Sequence, residues 1–320
     1  MPAEALAELT HLQLDPTSHC DLTCVYCVGR HWRQGKADLH VIESLCRDVV
    51  PLRYVHLQGE GEPFVHRDFL TMLKHVRATG AEVGFITNGR HFTHDNVRAL
   101  IDLGIRSVGI SIDSLDPNVY RRLRHGSLAP VLEGLDRLLT ARSALDRPDV
   151  YLTAVLTRST FDGFEEIVTF SERLGLSPPS AQALQSMASY RRYYPPELDG
   201  EFLTDEQHEI LHRYWAKRDG IRRRLGLSTY FEDLVADYAD AGCPFLDRSL
   251  HVRFDGYVFP CCFMKDDNDA FGHLDQEDLP SIWHGERRRV MRATFAEGRI
   301  PTACAGCPVL TRAGTANTNG

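Results

Sequence analysis

The sequence predicts an α/β protein: a partial (β/α)6 barrel joined to a small C-terminal Cys-rich domain. Three observations carry that expectation. Short β-rich runs alternate with helical patterns over the first 190 residues, the pattern breaks at Pro195-Pro196, and from residue 242 onward the composition shifts to Cys, Gly, Pro and aromatics. Repeated βα units imply a parallel sheet. Six such units are fewer than the eight of a closed barrel.

The runs, in order, are LTHLQLD (9–15), RYVHLQ (53–58), EVGFIT (82–87), RSVGISI (106–112), VYLTAVLT (150–157) and AQALQSM (181–187). Between them, stretches such as HRDFLTMLKHVRATG and PVLEGLDRLLTARSAL place apolar residues three and four apart and end near Gly or polar turns, as covering helices do. The barrel is thus expected over 1–190. Two helices, in DEQHEILHRYWAKRD and YFEDLVADYAD, are expected to form a bridge over 191–241. LHVRFDGYVFPCC reads as a hairpin turning at Asp255-Gly256, inside a module spanning 242–312. The small, polar tail at 313–320 is expected to be flexible.

Composition narrows the function classes. At 320 residues, 43% apolar and 25% charged, the chain belongs to the ordinary globular class. The start MPAEALAELT does not read as a signal peptide, and no run approaches the ~18 apolar residues of a membrane span. A cytoplasmic protein without a membrane partner is expected. The net charge of −8 argues against a dedicated nucleic-acid surface, which needs clustered Lys and Arg. The basic run Arg222 to Arg224 reads as a solvated helix face.

Nine cysteines are the most informative feature. In a reducing cytosol, grouped cysteines indicate metal ligands or catalysts before disulfides. Cys20, Cys24 and Cys27 follow the first strand as C-x3-C-x2-C. Positions i, i+4 and i+7 would share a helix face, so a packed apolar cluster is one reading. Three thiolates converging in a strand-to-helix loop also match iron–sulfur ligation, with one of four irons left open.

These residues resemble the radical S-adenosylmethionine (SAM) superfamily, whose C-x3-C-x-aromatic-C signature reads here Cys20-Asp-Leu-Thr-Cys24-Val-Tyr26-Cys27. The resemblance implies a 4Fe-4S cluster whose open iron chelates SAM and whose electron releases a 5'-deoxyadenosyl radical. It also implies SAM contacts at successive strand ends. Gln58-Gly59-Glu60-Gly61-Glu62-Pro63 is similar to the family's GGE motif, with Glu60 in place of the first Gly, and Glu60, Gly61 and Glu62 take its role at the methionyl amino group. Thr87-Asn88-Gly89 resembles the TNG motif, giving Asn88. Ser111-Ile112-Asp113 resembles the S-x-D motif, giving Ser111 and Asp113 at the ribose and carboxylate. Tyr26 is expected near the adenine.

Cys243, Cys261, Cys262, Cys304 and Cys307 form the late group. Four thiolates would suit a structural zinc or a second cluster. CPFLDRSLHVRFDGYVFPCC with the later CAGC is similar to the auxiliary-cluster domain called SPASM, or its shorter twitch form. This implies one auxiliary 4Fe-4S cluster on Cys243, Cys261, Cys304 and Cys307, the family spacing from Gly256 favouring Cys261 over Cys262. Cys46 reads as a core residue.

A four-thiolate cluster has no vacant iron, so it would accept an electron rather than hold substrate. The size and single auxiliary cluster are similar to those of the twitch-type dehydrogenases of aminoglycoside biosynthesis, and this resemblance implies, as the leading expectation, a dehydrogenase that oxidises a secondary alcohol of an amino sugar or aminocyclitol to a ketone, with an electron donor such as flavodoxin or ferredoxin. An epimerase returning hydrogen from a cysteine, Cys262 being the candidate, is the alternative. A peptide-modifying SPASM enzyme is disfavoured by the lack of a leader-binding domain before the first strand. A molybdenum-cofactor cyclase is disfavoured by the four late cysteines and the lack of a Gly-Gly terminus.

Overall fold

Six parallel strands supply the frame, in a computed structural model that describes residues 6–49, 52–142, 145, 147–227, 229–235 and 243–312. They are β1 (His11–Leu14), β2 (Tyr54–Leu57), β3 (Glu82–Thr87), β4 (Ser107–Ser111), β5 (Asp149–Leu156) and β6 (Ser177–Ala183). Each pairs in parallel with the next, so chain order is also sheet order. β1 and β2 are buried at every position, as a sheet covered on both faces requires. Residues such as Leu12, Leu14, Val55 and Leu57 are fully enclosed, each such side chain contributing roughly 1.5–3 kcal/mol.

The connecting helices form where polar caps meet apolar periodicity. They are α1 (Leu39–Asp48), α2 (Phe69–Ala78), α3 (His94–Asp102), α4 (Pro117–Arg124), α5 (Ala129–Arg142) and α6 (Phe164–Arg173). Asp38 caps α1 by accepting from the His40 N–H, and Thr93 caps α3 by accepting from Asn96. Asp116 caps α4, with Pro117 in its first turn. α1 buries Ile42, Leu45 and Cys46, which places Cys46 in the core as its pattern predicts.

Two expectations shift. The sixth strand runs from Ser177 to Ala183 rather than from 181 to 187, with Pro178 and Pro179 near its start. β6 is the edge of the sheet, where a residue without an N–H is tolerated. The bridge helix α7 (Asp205–Arg224) then packs on β6: Tyr214 Oη and Arg218 Nε donate to the Pro179 carbonyl at 2.6 and 3.0 Å, and Trp215 Nε1 donates to Ala181 O at 2.8 Å. Arg222 is also not solvated. It is buried and bonds Asp149 at 2.7 Å, leaving Arg223 and Arg224 as the exposed part of that run.

The second bridge helix is α8 (Tyr230–Val235); the remainder of its expected length, 236–240, and the tail at 313–320 lie outside the described residues. The late hairpin forms as expected from β7 (Ser249–Val252) and β8 (Tyr257–Phe259), followed by β9 (Gly272–His273). β7 also pairs in parallel with β1, His11 opposite Ser249, so the Cys-rich module continues the barrel sheet. Among the described residues no helix is long and apolar enough to cross a membrane.

Candidate active site

The C-terminal ends of the parallel strands surround a cleft of ≈ 390 Å³, within the range of ligand pockets. Cys20, Cys24 and Cys27 all line it. Their loop is pinned from several sides: Thr17 Oγ1 donates to Gly35 O at 2.7 Å, Val25 N donates to Leu123 O at 2.9 Å, and the Arg30 guanidinium donates to Thr23 O at 3.1 Å. Cys20 stays exposed while Cys24 is buried.

The residues fit an iron–sulfur cluster. Among the described residues no three His, Cys, Asp or Glu side chains converge tightly enough to grip a single ion. A 4Fe-4S cluster asks for a wider set, since each thiolate binds its own iron. Burial pushes Cys20 and Cys27 up to about 12, and the neighbouring carboxylates Glu62 and Glu60 push the same way. Thiolates at these positions need local positive charge, which irons would bring.

The second strand-end motif is built around close approach. A Cβ on Gly61 would lie 2.2 Å from the Thr17 carbonyl oxygen, so only glycine lets the motif pass beneath the cysteine loop. Glu62 is buried and accepts from Thr87 Oγ1 at 2.7 Å, Asn88 N at 2.7 Å and Phe64 N at 3.2 Å. A carboxylate has about four acceptor sites, which leaves room for one further donor, such as an amino group in the cleft.

The TNG turn braces the loop. Gly89 has φ +78°, a left-handed conformation suited to glycine. The Asn88 side chain donates to Asp21 at 2.6 Å, and Asp21 also accepts from Arg90 at 2.9 Å. Ser111 lines the cleft at the end of β4.

Asp113 is 1% exposed and accepts from Arg124, whose Nε and Nη2 donate at 2.6 and 2.9 Å, from Val155 N at 2.9 Å and from Tyr26 Oη. Its partners Tyr26 and Arg124 line the cleft. Glu60 lines the cleft, and its carboxylate pairs with Lys265 at 2.6 Å while its Oε2 lies 3.8 Å from Cys27 Sγ. Burial alone would lower the Lys265 pKa, but Glu60 holds the ammonium well above its ordinary value.

Sequence reasoning missed Arg124, Lys265, Tyr190 and Tyr194, which all line the cleft. Glu60 carried a signal: a carboxylate where the family motif has glycine needs a buried cation.

The late cysteines divide. Cys243, Cys261, Cys304 and Cys307 line a second, apolar cavity with Met264, Met291 and Phe295, whereas Cys262 lines the large cleft. Cys243 precedes the short helix Pro244–Arg248, Cys261 follows β8, and Cys307 N donates to Cys304 O at 3.0 Å in a tight turn. Cys261 is pushed up by burial, then by Cys262, Cys243 and Cys307. Phe245, Phe263 and Val309 line both cavities.

Comparison with known proteins identifies two families along the chain. The radical SAM superfamily model matches residues 14–170, and SPASM, an iron–sulfur cluster-binding domain, matches 243–308. A tungsten-containing aldehyde ferredoxin oxidoreductase cofactor-modifying protein of Pyrococcus furiosus is 25% identical over 93% of this chain and 87% of its own length. A GTP 3',8-cyclase of Paracoccus denitrificans is 34% identical over 68% of the chain and 60% of its own length; for the Rhizobium meliloti enzyme only 41% of its length is matched. In fold, the chain is similar to Streptococcus suis SuiB bound to SAM (TM-score 0.69, 16% identity, 89% of this chain and 68% of SuiB). It is also similar to anSMEcpe with bound SAM and a peptide (TM-score 0.68, 15% identity, 98% of this chain and 92% of that one). The chain belongs to the radical SAM superfamily, with a barrel domain that binds SAM and a 4Fe-4S cluster and a C-terminal SPASM domain that binds auxiliary iron–sulfur chemistry.

Proposed function

We propose that the protein is a radical SAM dehydrogenase that oxidises a secondary alcohol of a small hydroxylated substrate, an amino sugar or aminocyclitol, to a ketone. Cys20, Cys24 and Cys27 hold the first cluster, and Gly61, Glu62, Asn88, Ser111 and Tyr26 frame SAM. Cys243, Cys261, Cys304 and Cys307 hold one auxiliary cluster. Bound there, cluster and SAM supply the one-electron cleavage that generates a hydrogen-abstracting radical. The chain positions the substrate's carbinol C–H; after hydrogen abstraction the hydroxyl proton passes to solvent in the open cleft and one electron passes to the auxiliary site.

One observation carries this reading. Cys261 faces the small four-thiol cavity while Cys262 faces the cleft, so four ligands are available to four irons and none is left open for substrate. A single layer, Phe245, Phe263 and Val309, separates that cavity from the cleft, a short path for an electron. The cleft suits a neutral or cationic polyol: Gln13, Gln58, Gln182 and Gln185 line it, and Arg218 and Lys265 are already paired with Glu232 and Glu60 at 2.8 and 2.6 Å.

The test is anaerobic turnover of reconstituted enzyme with a panel of amino sugars and aminocyclitols, beside a peptide pool. A carbonyl product with one 5'-deoxyadenosine per ketone supports the proposal. Product from the peptide pool alone rejects the substrate class. About four irons and one zinc per chain, in place of about eight irons, reject the electron-accepting cluster.

A second reading, epimerisation, is favoured by Cys262. Burial pushes its thiol up to about 11 even beside Lys265, so it stays an S–H in the cleft, able to give a hydrogen atom. Deuterium from heavy water at an inverted carbon, lost in Cys262→Ala, selects this outcome over the ketone.

A further inference from the structure

Lys265 and Glu60 are 205 positions apart in the chain, yet they form a buried ion pair of 2.6 Å on the wall of the cleft. Their side chains are 4% and 17% exposed. Glu60 belongs to the SAM-motif loop after β2; Lys265 follows Cys261 and Cys262 in the SPASM domain. Space is reserved for this carboxylate, because a Cβ on Gly29 would lie 2.1 Å from Glu60 Cβ. The ammonium lies 5.5 Å from the Trp32 ring centroid and 5.4 Å from that of Tyr190, an aromatic cage that favours a cation.

The position of Glu60 creates a problem that Lys265 solves. The carboxylate Oε2 is 3.8 Å from Cys27 Sγ, one ligand of the SAM-binding cluster. A net negative charge beside a cluster opposes its reduction, because potentials follow local charge and dielectric. In a radical SAM enzyme that reduction starts the chemistry. A buried pair is also weak evidence for stability, since desolvation offsets much of its attraction. We propose that Lys265 is a positioning residue that, acting through Glu60, cancels this charge and keeps the potential of the first cluster within reach of its electron donor, so that the SPASM domain tunes the cluster it does not ligate. This rests on the cluster held by Cys27 and is independent of the substrate chosen above.

The experiment is an anaerobic EPR redox titration of the reconstituted full-length protein, following the cluster signal that changes on adding SAM. Lys265→Met leaves Glu60 unbalanced, and its reduced-to-oxidised ratio at fixed potential is expected to fall about tenfold, ~59 mV for a one-electron couple. Glu60→Gln leaves the ammonium unbalanced and is expected to raise the ratio. The double variant is expected to return near the wild-type value. Opposite signs that cancel are a signature lost packing does not give. Unchanged potentials in both single variants, or shifts of the same sign, overturn the proposal; if Lys265→Met does not fold, the direction of Glu60→Gln alone decides it. Failure to assemble any SAM-responsive cluster in the wild type would instead overturn the assignment of Cys20, Cys24 and Cys27.

Discussion

The early and late thiol groups are built from opposite materials. Cys20, Cys24 and Cys27 lie within eight positions of one loop and line an open cleft shared with carboxylates, glutamines and tyrosines. Cys243, Cys261, Cys304 and Cys307 come from three separate segments and line a small apolar cavity of ≈ 20 Å³ walled by Met and Phe. An open, polar site with three thiols has a place for something exchangeable. A small, apolar site with four has only a place for its own cluster. Through the β1–β7 pairing the frames of the two sites share one sheet.

The largest effect that tests this contrast comes from removing one set at a time. Replacing Cys20, Cys24 and Cys27 together by Ala is expected to abolish SAM cleavage and lower iron from about eight to about four per chain, leaving the late cluster's absorbance. Replacing Cys304 and Cys307 is expected to halve the iron equally while SAM cleavage without substrate turnover persists. If SAM cleavage vanished in both, the two sites would not be separable in the way their cavities suggest.

A sharper test uses adjacent residues. Cys261→Ala is expected to lose about four irons, and Cys262→Ala to retain about eight, although the two thiols are chain neighbours. Iron and sulfide analysis decides it; loss of iron in Cys262→Ala would reverse the assignment.

That neighbouring pair also marks the boundary of what the sequence can express. The early site is local: a strand, a loop and three strand-end motifs at fixed points of a repeating βα unit, so its residues can be read along the chain. The late site depends on a hairpin, a turn and the start of a helix meeting, and which of Cys261 and Cys262 points inward is set by the path after β8, which only family spacing could suggest. What was not read has the same cause. Arg124 carries no motif of its own, and only α4 brings it back onto Asp113, a return that is tertiary. Arg222 looked solvated in IRRRL until Asp149 on β5 met it. The shifted start of β6 is a different case, where Pro178 and Pro179 masked an edge strand.

Arg124 provides the next prediction, because it stands beside the open site. Its pair with Asp113 is almost fully enclosed, with side chains 8% and 0% exposed. Arg124→Met leaves that carboxylate buried without its cation and is expected to destabilise the fold by about 3–5 kcal/mol in denaturant unfolding. Adding Asp113→Leu should recover most of the loss. A fall below about 1 kcal/mol would mean that Val155 and Tyr26 alone satisfy the carboxylate.

The smallest effect expected is one of rate. An iron chelator must reach a cluster through its least covered ligands, and the two sites differ there: Cys20 is exposed, whereas the least covered late ligands, Cys243 and Cys261, are half-buried and Cys304 and Cys307 are buried. Iron release from the anaerobic holoprotein should therefore be biphasic with similar amplitudes, the fast half coming from the early site. SAM, by covering the open iron and filling the cleft, should slow only the fast phase, by several-fold. The Cys304/Cys307 variant should show the fast phase alone, and the triple early variant the slow one. A single phase, or a SAM effect on both, would place the clusters in equivalent surroundings and remove the distinction between the open site and the small apolar one on which the proposed division of labour depends.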